Sequence, residues 1–138
     1  KQLLDVHFPD YDCLIMAAAV ADYRPEQVID GKLPRNSEGE LVIVLQPTPD
    51  LVALTAAARR RGQKIIAFAL EEADTLEQRA LEKMKRKGVD AIVANPLGTM
   101  DSPSITGMLL LADGRKLAPG RMPKPDFARW LIEKLSEV

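Results

Sequence analysis

Three short apolar runs, separated by helical segments, constrain the fold of this chain more than any other feature. The runs are Leu14–Met16, Lys64–Ala69 and Val89–Ala94, and helices are predicted between them over Leu51–Arg61 and Thr75–Lys87. Continuous apolar runs are typical of parallel strands that helices cover on both faces. The β-α-β-α-β order with short loops therefore predicts a parallel sheet with right-handed crossovers.

The last third of the chain predicts a hairpin and a helix. Met108–Leu111 and Arg115–Leu117 flank the turn sequence at 112–114, which favours an antiparallel hairpin. Asp126–Leu135 has the apolar spacing of an amphipathic helix. We therefore expect an α/β fold in one domain over residues 1–138: a three-layer, Rossmann-like, mostly parallel sheet with a C-terminal β-hairpin and helix.

The segment between the first run and the first helix is different in character. Residues 26–40 are polar and contain glycine and proline, so a flexible flap is expected there. Leu41–Leu45 (LVIVL) is apolar and β-branched, which predicts a strand in a two-fold dimer interface. Thr48, Pro49 and Asp50 have the residue types of an N-cap, a first helical position and a first turn.

Composition narrows the class of protein. A chain of 138 residues with a net charge of −1 argues against a general nucleic-acid surface. Its single cysteine, Cys13, excludes a disulfide framework and a thiolate metal cluster, so a reduced, cytoplasmic setting is expected. The sequence contains neither a signal peptide nor an apolar run approaching the ~20 residues of a membrane-spanning helix. Because the chain begins at Lys1 in mid-pattern, we expect it to be an excerpt of a longer protein.

The residues that follow the first predicted strand have the pattern of a binding site. In LIMAAAVADYRP (Leu14–Pro25) three small residues follow the apolar run, and the carboxylate of Asp22 comes next. Small side chains leave the main chain accessible, and ligands of open α/β sheets bind outside the carboxyl ends of the strands. This pattern predicts a binding site at that edge; a buried strand with an ordinary exposed turn remains the alternative.

Several cations could complete an anion site at the same edge. A helix that begins near Pro49 would present free N–H groups there. Lys32 and Arg35 lie on the flap, and Lys83 and Lys87 share one helix face at i, i+4. Together they predict an acceptor for a polyanion such as a nucleoside triphosphate, although each lysine could equally belong to a solvated surface. The glycine-rich phosphate loops, the nucleophile elbow and metal-binding Cys/His spacings are absent from the sequence.

Five motifs resemble one family, phosphopantothenoylcysteine synthetase. AAAVADYRP resembles its signature, GKLPR stands at the spacing of its lysine-rich flap, and TPDLV is similar to its N-P-D-I-V/L. AFALEE resembles G-F-A-A-E-T, and KMKRKGVDAIVAN closely resembles K-L-K-R-K-G-L-D-L-I-V-A-N. Pro96 departs from the family's aspartate, MDSPSI departs from F-x-S-D-x-N, and the family's N-terminal phosphate loop has no counterpart in these residues.

The resemblance implies a CTP-dependent ligase of coenzyme A biosynthesis. It would join 4′-phosphopantothenate and cysteine through an acyl-cytidylate, with Mg²⁺ accompanying CTP, in a homodimer or in a larger assembly with a decarboxylase domain. FMN would belong only to that fused domain, and the excerpt alone is expected to be inactive.

The resemblance also implies residue roles. Lys32 is the candidate catalytic residue, stabilising phosphate charge from the flap. Asp22 would contact the ribose or base, and Phe68 would pack against the nucleotide. No protein residue is predicted to bind a metal. The other predicted nucleotide contacts are the main chain of Met16, Ala17 and Ala18, the helix start Pro49, Asp50, Leu51 and Val52, and the side chains of Lys83 and Lys87.

Two other classes remain open. One is an NAD(P)-dependent oxidoreductase on a Rossmann-like sheet, against which the missing glycine fingerprint counts and which NAD(P)H titration would test. The other is a non-catalytic α/β dimerisation module, which calorimetry with nucleotides would distinguish from the ligase.

Overall fold

A computed structural model describes residues 1–32 and 40–137, so the middle of the predicted flap, including Arg35, lies outside the described residues. The chain divides into two compact units: unit 1 comprises Lys1–Ala17 and Leu51–Val138, and unit 2 comprises Ala18–Asp50. In chain order the elements are α1 (Gln2–His7), β1 (Cys13–Ile15), β2 (Tyr23–Pro25), β3 (Leu45–Pro47), α2 (Leu51–Ala58), β4 (Lys64–Glu71), α3 (Leu76–Lys87), β5 (Ala91–Pro96), β6 (Ser104–Ile105), β7 (Met108–Leu111), β8 (Lys116–Leu117), β9 (Met122–Pro123) and α4 (Lys124–Leu135).

Unit 1 is built on a five-stranded sheet in the order β1-β4-β5-β7-β8. β1, β4 and β5 are parallel, with Ile15 opposite Ile66 and Phe68 opposite Val93. β7 runs antiparallel to β5, and β8 forms a hairpin with β7. The predicted α/β fold, with its parallel core and C-terminal hairpin and helix, is confirmed.

Strand alternation sends side chains to two apolar layers. Odd-numbered residues of β4, such as Ile65 and Ala67, pack with α3, and even-numbered Ile66 packs with α4. The aromatic rings of Phe127 and Trp130 on α4 lie 5.2 Å apart at their centroids. The α3 layer also contains Phe8, Ala69, Leu76, Ala80, Met84, Val89, Ile92, Ala94 and Leu110, and the α4 layer contains Ala91, Val93, Ile105, Leu109, Leu111, Phe127 and Leu131.

Helix α3 has the buried face and the glycine end that its sequence indicates, but not the side-chain cap at its start. Its apolar face of Leu76, Ala80 and Met84 is buried, and Gly88 ends it at a φ of 65°, in the left-handed region that favours glycine. Asp74 and Glu77 have the spacing of a capping box, but no such box forms. The helix begins after a 3₁₀ turn without a side-chain cap, and the Glu77 carboxylate instead forms an ion pair with Lys116 of β8.

The prediction of a strand over Leu41–Leu45 is wrong. The strand in this region is β3, Leu45–Pro47, which pairs antiparallel with Tyr23–Pro25 of β2. β-Branched residues favour strands only where a neighbouring strand can pair with them. β2 is three residues long, so apart from a hydrogen bond from the Glu26 N–H to the Val44 carbonyl at 2.9 Å, residues 41–44 lie beyond the ladder.

Other boundaries also differ from the sequence-based expectation. β1 is a three-residue edge strand, half-buried rather than covered on both faces. α2 ends at Ala58 rather than Arg61, and just beyond it the Arg60 N–H donates to the Gln63 side-chain oxygen at 2.8 Å. β4 continues to Glu71, two residues beyond the predicted run Lys64–Ala69, because β5 pairs with it as far as Pro96.

Unit 2 contains the short ribbon of β2 and β3. At its base the Thr48 N–H donates to the Asp22 carbonyl at 2.8 Å, and the Thr48 hydroxyl donates to the Ala21 carbonyl. Residues 26–32 and 40–44 are in neither helix nor strand. Among the described residues, no helix combines the length and apolarity that a membrane crossing requires.

Candidate functional site

The carboxyl edge of β1, β4 and β5 has the accessibility expected of a binding site. β1 ends at Ile15, and the Met16 N–H makes a last ladder hydrogen bond to the Ile66 carbonyl at 2.9 Å. From Ala17 onward the chain is exposed, and Ala18 is the first residue of unit 2. The predicted main-chain contacts therefore begin where the main chain leaves the sheet.

Phe68 provides an exposed aromatic surface near this edge. It lies between the buried residues Ala67 and Ala69 of β4, yet 37% of its surface is exposed. The strand period places it on the same face as Ile66, away from α3. An exposed aromatic ring among buried neighbours is consistent with its predicted stacking against a nucleotide.

The N-terminus of α2 also lies at the carboxyl edge. A helix that connects parallel strands runs antiparallel to them, so its first residues, Leu51 and Val52, come near the ends of β1 and β4. Val52 packs against the α3 layer of the core, which fixes the start of this helix. Pro49 and Asp50 precede it as the last residues of unit 2.

A cluster of charged side chains lies where β4 ends beside α3. Glu71 forms an ion pair with Lys83, and Nη1 of Arg79 lies 4.0 Å from Oε2 of the same carboxylate. Glu71 is nearly buried, with 11% of its side chain exposed, whereas 35% of the Lys83 side chain is exposed. Lys87, half-buried, lies one turn further along α3. The structure thus brings Lys83 into contact with the strand end.

The remaining predicted contacts belong to unit 2. Asp22 lies at the base of the ribbon beside Thr48, where its carbonyl accepts a hydrogen bond and its side chain is exposed. Lys32 is exposed and follows Gly31, whose φ of 96° marks a turn. Asp22 and Thr48 are therefore close to each other, with Pro49 and Asp50 directly following in the chain.

Cys13 stands at the opposite, amino edge of the sheet. Burial, and then the nearby Asp90 carboxylate, raise the pKa of the Cys13 thiol above its usual value, so the thiolate is disfavoured. Asp90 accepts a hydrogen bond from the Ile65 N–H at 2.8 Å and forms an ion pair with Arg59. These contacts join β4 to the residue that follows α2 and to the residue that precedes β5.

Comparison with known proteins assigns the family. The family model described as "DNA/pantothenate metabolism flavoprotein C-terminal domain" matches residues 1–138. The chain belongs to this family.

Among curated relatives of this flavoprotein domain is the coenzyme A biosynthesis bifunctional protein CoaBC of Mycobacterium tuberculosis. It is 38% identical over 149 aligned positions, which cover 98% of this chain and 36% of that protein. The chain thus spans about a third of the length of such relatives. The crystal structure of the C-terminal domain of a CoaBC protein is 26% identical with a TM-score of 0.76, covering 97% of this chain and 58% of that one.

A more distant neighbour shares the fold. A Cab2 mutant solved in complex with phosphopantothenate-cysteine is 19% identical with a TM-score of 0.53, covering 74% of this chain and 36% of the other. At that identity the likeness concerns the fold alone.

Two polar features of this domain were not among the predicted contacts. Glu71 could have been found from strand alternation, because Ile65, Ala67 and Ala69 predict that the next odd position also faces α3. The other feature is a hydrogen-bond chain at the end of β5, where the Asn95 amide donates to the Thr99 hydroxyl at 3.0 Å. That hydroxyl donates to the Pro96 carbonyl at 2.7 Å. No spacing rule in the sequence indicated this chain of bonds.

The described part of the chain offers no ready-made metal cage. Within residues 1–32 and 40–137 no three His, Cys, Asp or Glu side chains are grouped closely enough to hold an ion. Mg²⁺ commonly keeps several waters and binds through substrate phosphates with one or two carboxylates.

Proposed function

We propose that this chain acts as the phosphopantothenoylcysteine synthetase part of a coenzyme A biosynthesis protein. The reaction would join 4′-phosphopantothenate to cysteine at the expense of CTP. Membership of the flavoprotein C-terminal domain family supports the pathway. The single observation that carries the chemistry is the ion pair of Lys83 with Glu71 at the carboxyl end of β4, on the side of the sheet where Val52 at the start of α2 also packs.

In the proposed reaction the 4′-phosphopantothenate carboxylate attacks the α-phosphate of CTP, and pyrophosphate leaves with the electron pair of the broken P–O bond. The cysteine amine then attacks the acyl carbon, CMP leaves, and the amine proton is lost to solvent. Such a reaction relies on positioning and on charge stabilisation rather than on a protein nucleophile. That fits the proposed site, in which cations and main-chain N–H groups would stabilise the charge of the phosphates.

Each predicted residue has a place in this proposal. The main chain of Met16, Ala17 and Ala18 would allow close approach of the nucleotide, and Asp22 would accept hydrogen bonds from ribose or base. Pro49, Asp50, Leu51 and Val52 would direct the helix N-terminus at phosphate. Phe68 would stack, Lys83 and Lys87 would contact CTP, and Lys32 would stabilise charge in the transition state.

Mg²⁺ bound with the triphosphate would neutralise phosphate charge and orient the leaving pyrophosphate. The predicted contacts of this chain would meanwhile bind the base, ribose and phosphates. FMN has no role in this proposal, because flavin chemistry would belong to a fused decarboxylase domain.

Lys32→Ala in the full-length protein tests the proposal. A lysine that acts where charge develops in the transition state should lower turnover by on the order of a hundredfold, the scale of one lost stabilising donor. CTP affinity should fall less. Pyrophosphate release measures turnover, and Lys124→Ala, an exposed lysine on α4, is the matched control. Normal turnover by Lys32→Ala would refute its catalytic role, and absence of CTP-dependent pyrophosphate release by the wild type would refute the function.

A further inference from the structure

Glu71 is a nearly buried carboxylate at the edge where the nucleotide is proposed to bind, and it has no assigned role. A carboxylate repels a triphosphate, so its presence there needs a physical reason. Its Oε1 is closed to solvent and accepts no hydrogen bond of normal geometry from the described residues. The ion pair with Lys83 is therefore the interaction that compensates this oxygen for its lost water.

The geometry of β4 and α3 places the Glu71 carboxylate next to two cationic side chains. β4 directs Glu71 to the face that α3 covers, following Ala67 and Ala69. Arg79 and Lys83 are four residues apart on α3, so they lie one above the other on the same helix face. Side chains of a helix tilt towards its N-terminus, which for α3 is the carboxyl edge of the sheet. Lys83 therefore reaches towards that edge.

The charges of the cluster leave an excess of one positive charge. Glu71 neutralises about one cation, while Arg79, with 61% of its side chain exposed, and Lys83, with 35%, remain reachable from solvent. A lysine held by a carboxylate loses side-chain freedom before the ligand arrives, which reduces the entropy cost of binding an anion.

We propose that Glu71 is a positioning residue that holds the Lys83 ammonium at the carboxyl edge of β4 for the phosphates of a nucleotide. This inference rests on the proposed function, and it assigns to Glu71 no contact with the substrate. Loss of the carboxylate should therefore weaken CTP binding even though it removes a negative charge. A residue that merely stood near the site would give the opposite result.

A binding cycle in the full-length protein tests this role. Calorimetry with CTP and Mg²⁺ would compare wild type, Glu71→Gln, Lys83→Met and the double variant. We expect Glu71→Gln to raise the Kd about fivefold, the scale of an ion pair near a protein surface. The double variant should bind no more weakly than Lys83→Met, because Glu71 acts through Lys83. Glu77→Gln lies on the same helix as Lys83 and breaks the exposed ion pair with Lys116 of β8, so it is the matched control and should change nothing.

A second measurement is independent of CTP. Limited acetylation of lysines, quantified by mass spectrometry, should modify Lys83 several-fold faster in Glu71→Gln than in wild type, and Glu77→Gln should leave its rate unchanged. Glu71→Asp, which shortens the side chain by one methylene, should give an intermediate rate and replaces the amide variant if that variant does not fold.

The outcomes separate the two proposals. Wild type that binds no CTP overturns the proposed function, while the labelling experiment still decides whether Glu71 holds Lys83. CTP binding that Glu71→Gln leaves unchanged or tightens overturns the positioning role alone. Additive losses in the double variant, or unchanged Lys83 labelling, also overturn it.

Discussion

At the residue scale, Asp22 shows how backbone and side chain of one residue can serve different purposes. Its carbonyl accepts the Thr48 N–H at 2.8 Å and closes the base of the ribbon, while its exposed carboxylate is left for a ligand. Asp22→Asn keeps the carbonyl and the side-chain volume but removes the charge. We therefore expect weaker CTP binding by calorimetry and an almost unchanged melting temperature. A lower melting temperature with normal CTP affinity would mean that Asp22 is structural.

Gly107 allows a test of packing at a single position. A Cβ built there would lie 2.9 Å from Cζ and 3.1 Å from Cε2 of Phe127, a buried ring that cannot move freely. Gly107→Ala should therefore lower the free energy of unfolding by about 1–3 kcal/mol, the usual cost of overpacking a core. Gly98→Ala meets no atom within 4 Å and is the control. Urea denaturation measures both, and equal midpoints would contradict the expected clash.

At the scale of elements, the sequence predicted correctly those helices and strands whose local signals match the packing and pairing that they find in the fold. Helix α3 has an apolar stripe, a glycine end and a strand on either side, and it forms as expected. The hairpin of β7 and β8 forms around the predicted turn at Asp113–Gly114, where the Arg115 N–H donates to the Asp113 carboxylate at 3.0 Å. The prediction of a strand over LVIVL was wrong although the strand propensity of these residues is high. The strand that could pair with them is only three residues long, and local sequence does not report which residues pair.

In the candidate site, too, local patterns predicted some residue positions and tertiary packing decided others. Helix period and strand position explain where Lys83 and Phe68 lie, and their contacts with a nucleotide stay predictions. Strand alternation could have placed Glu71 on the α3 side, but its burial also depends on how far β5 pairs with β4, which extends to the pair Glu71–Pro96. The partner of a buried charge follows from packing, and no periodicity of the sequence reports it.

At the scale of the whole molecule, the exposed apolar side chains of unit 2 predict self-association. Val42 is 78% exposed and Ile43 58%, and with their neighbours they line an open cavity of about 300 Å³. A patch of this kind marks an interaction site more often than a free surface. We expect a two-fold dimer at micromolar concentration, in which this surface meets its copy.

Sedimentation velocity measures this association. Val42→Lys should shift the protein towards monomer, because a charge buried without a partner opposes the contact. Ile132→Lys replaces a similarly exposed apolar residue on α4 and should leave the dimer intact. A wild type that stays monomeric at high micromolar concentration would contradict the prediction.

The position of unit 2 in the chain bears on the order of folding. β4, α3 and β5 are consecutive and can assemble through short-range contacts, whereas β1 must find β4 with Cys13 opposite Lys64, across all of unit 2 and α2. Closing a longer loop costs more chain entropy, and distant contacts tend to form late. β1 should therefore be the last strand to join the sheet and the first whose amides exchange with solvent deuterium. Because Met16 follows β1 directly, the carboxyl edge at which the nucleotide is proposed to bind would be completed only after the rest of the sheet has formed.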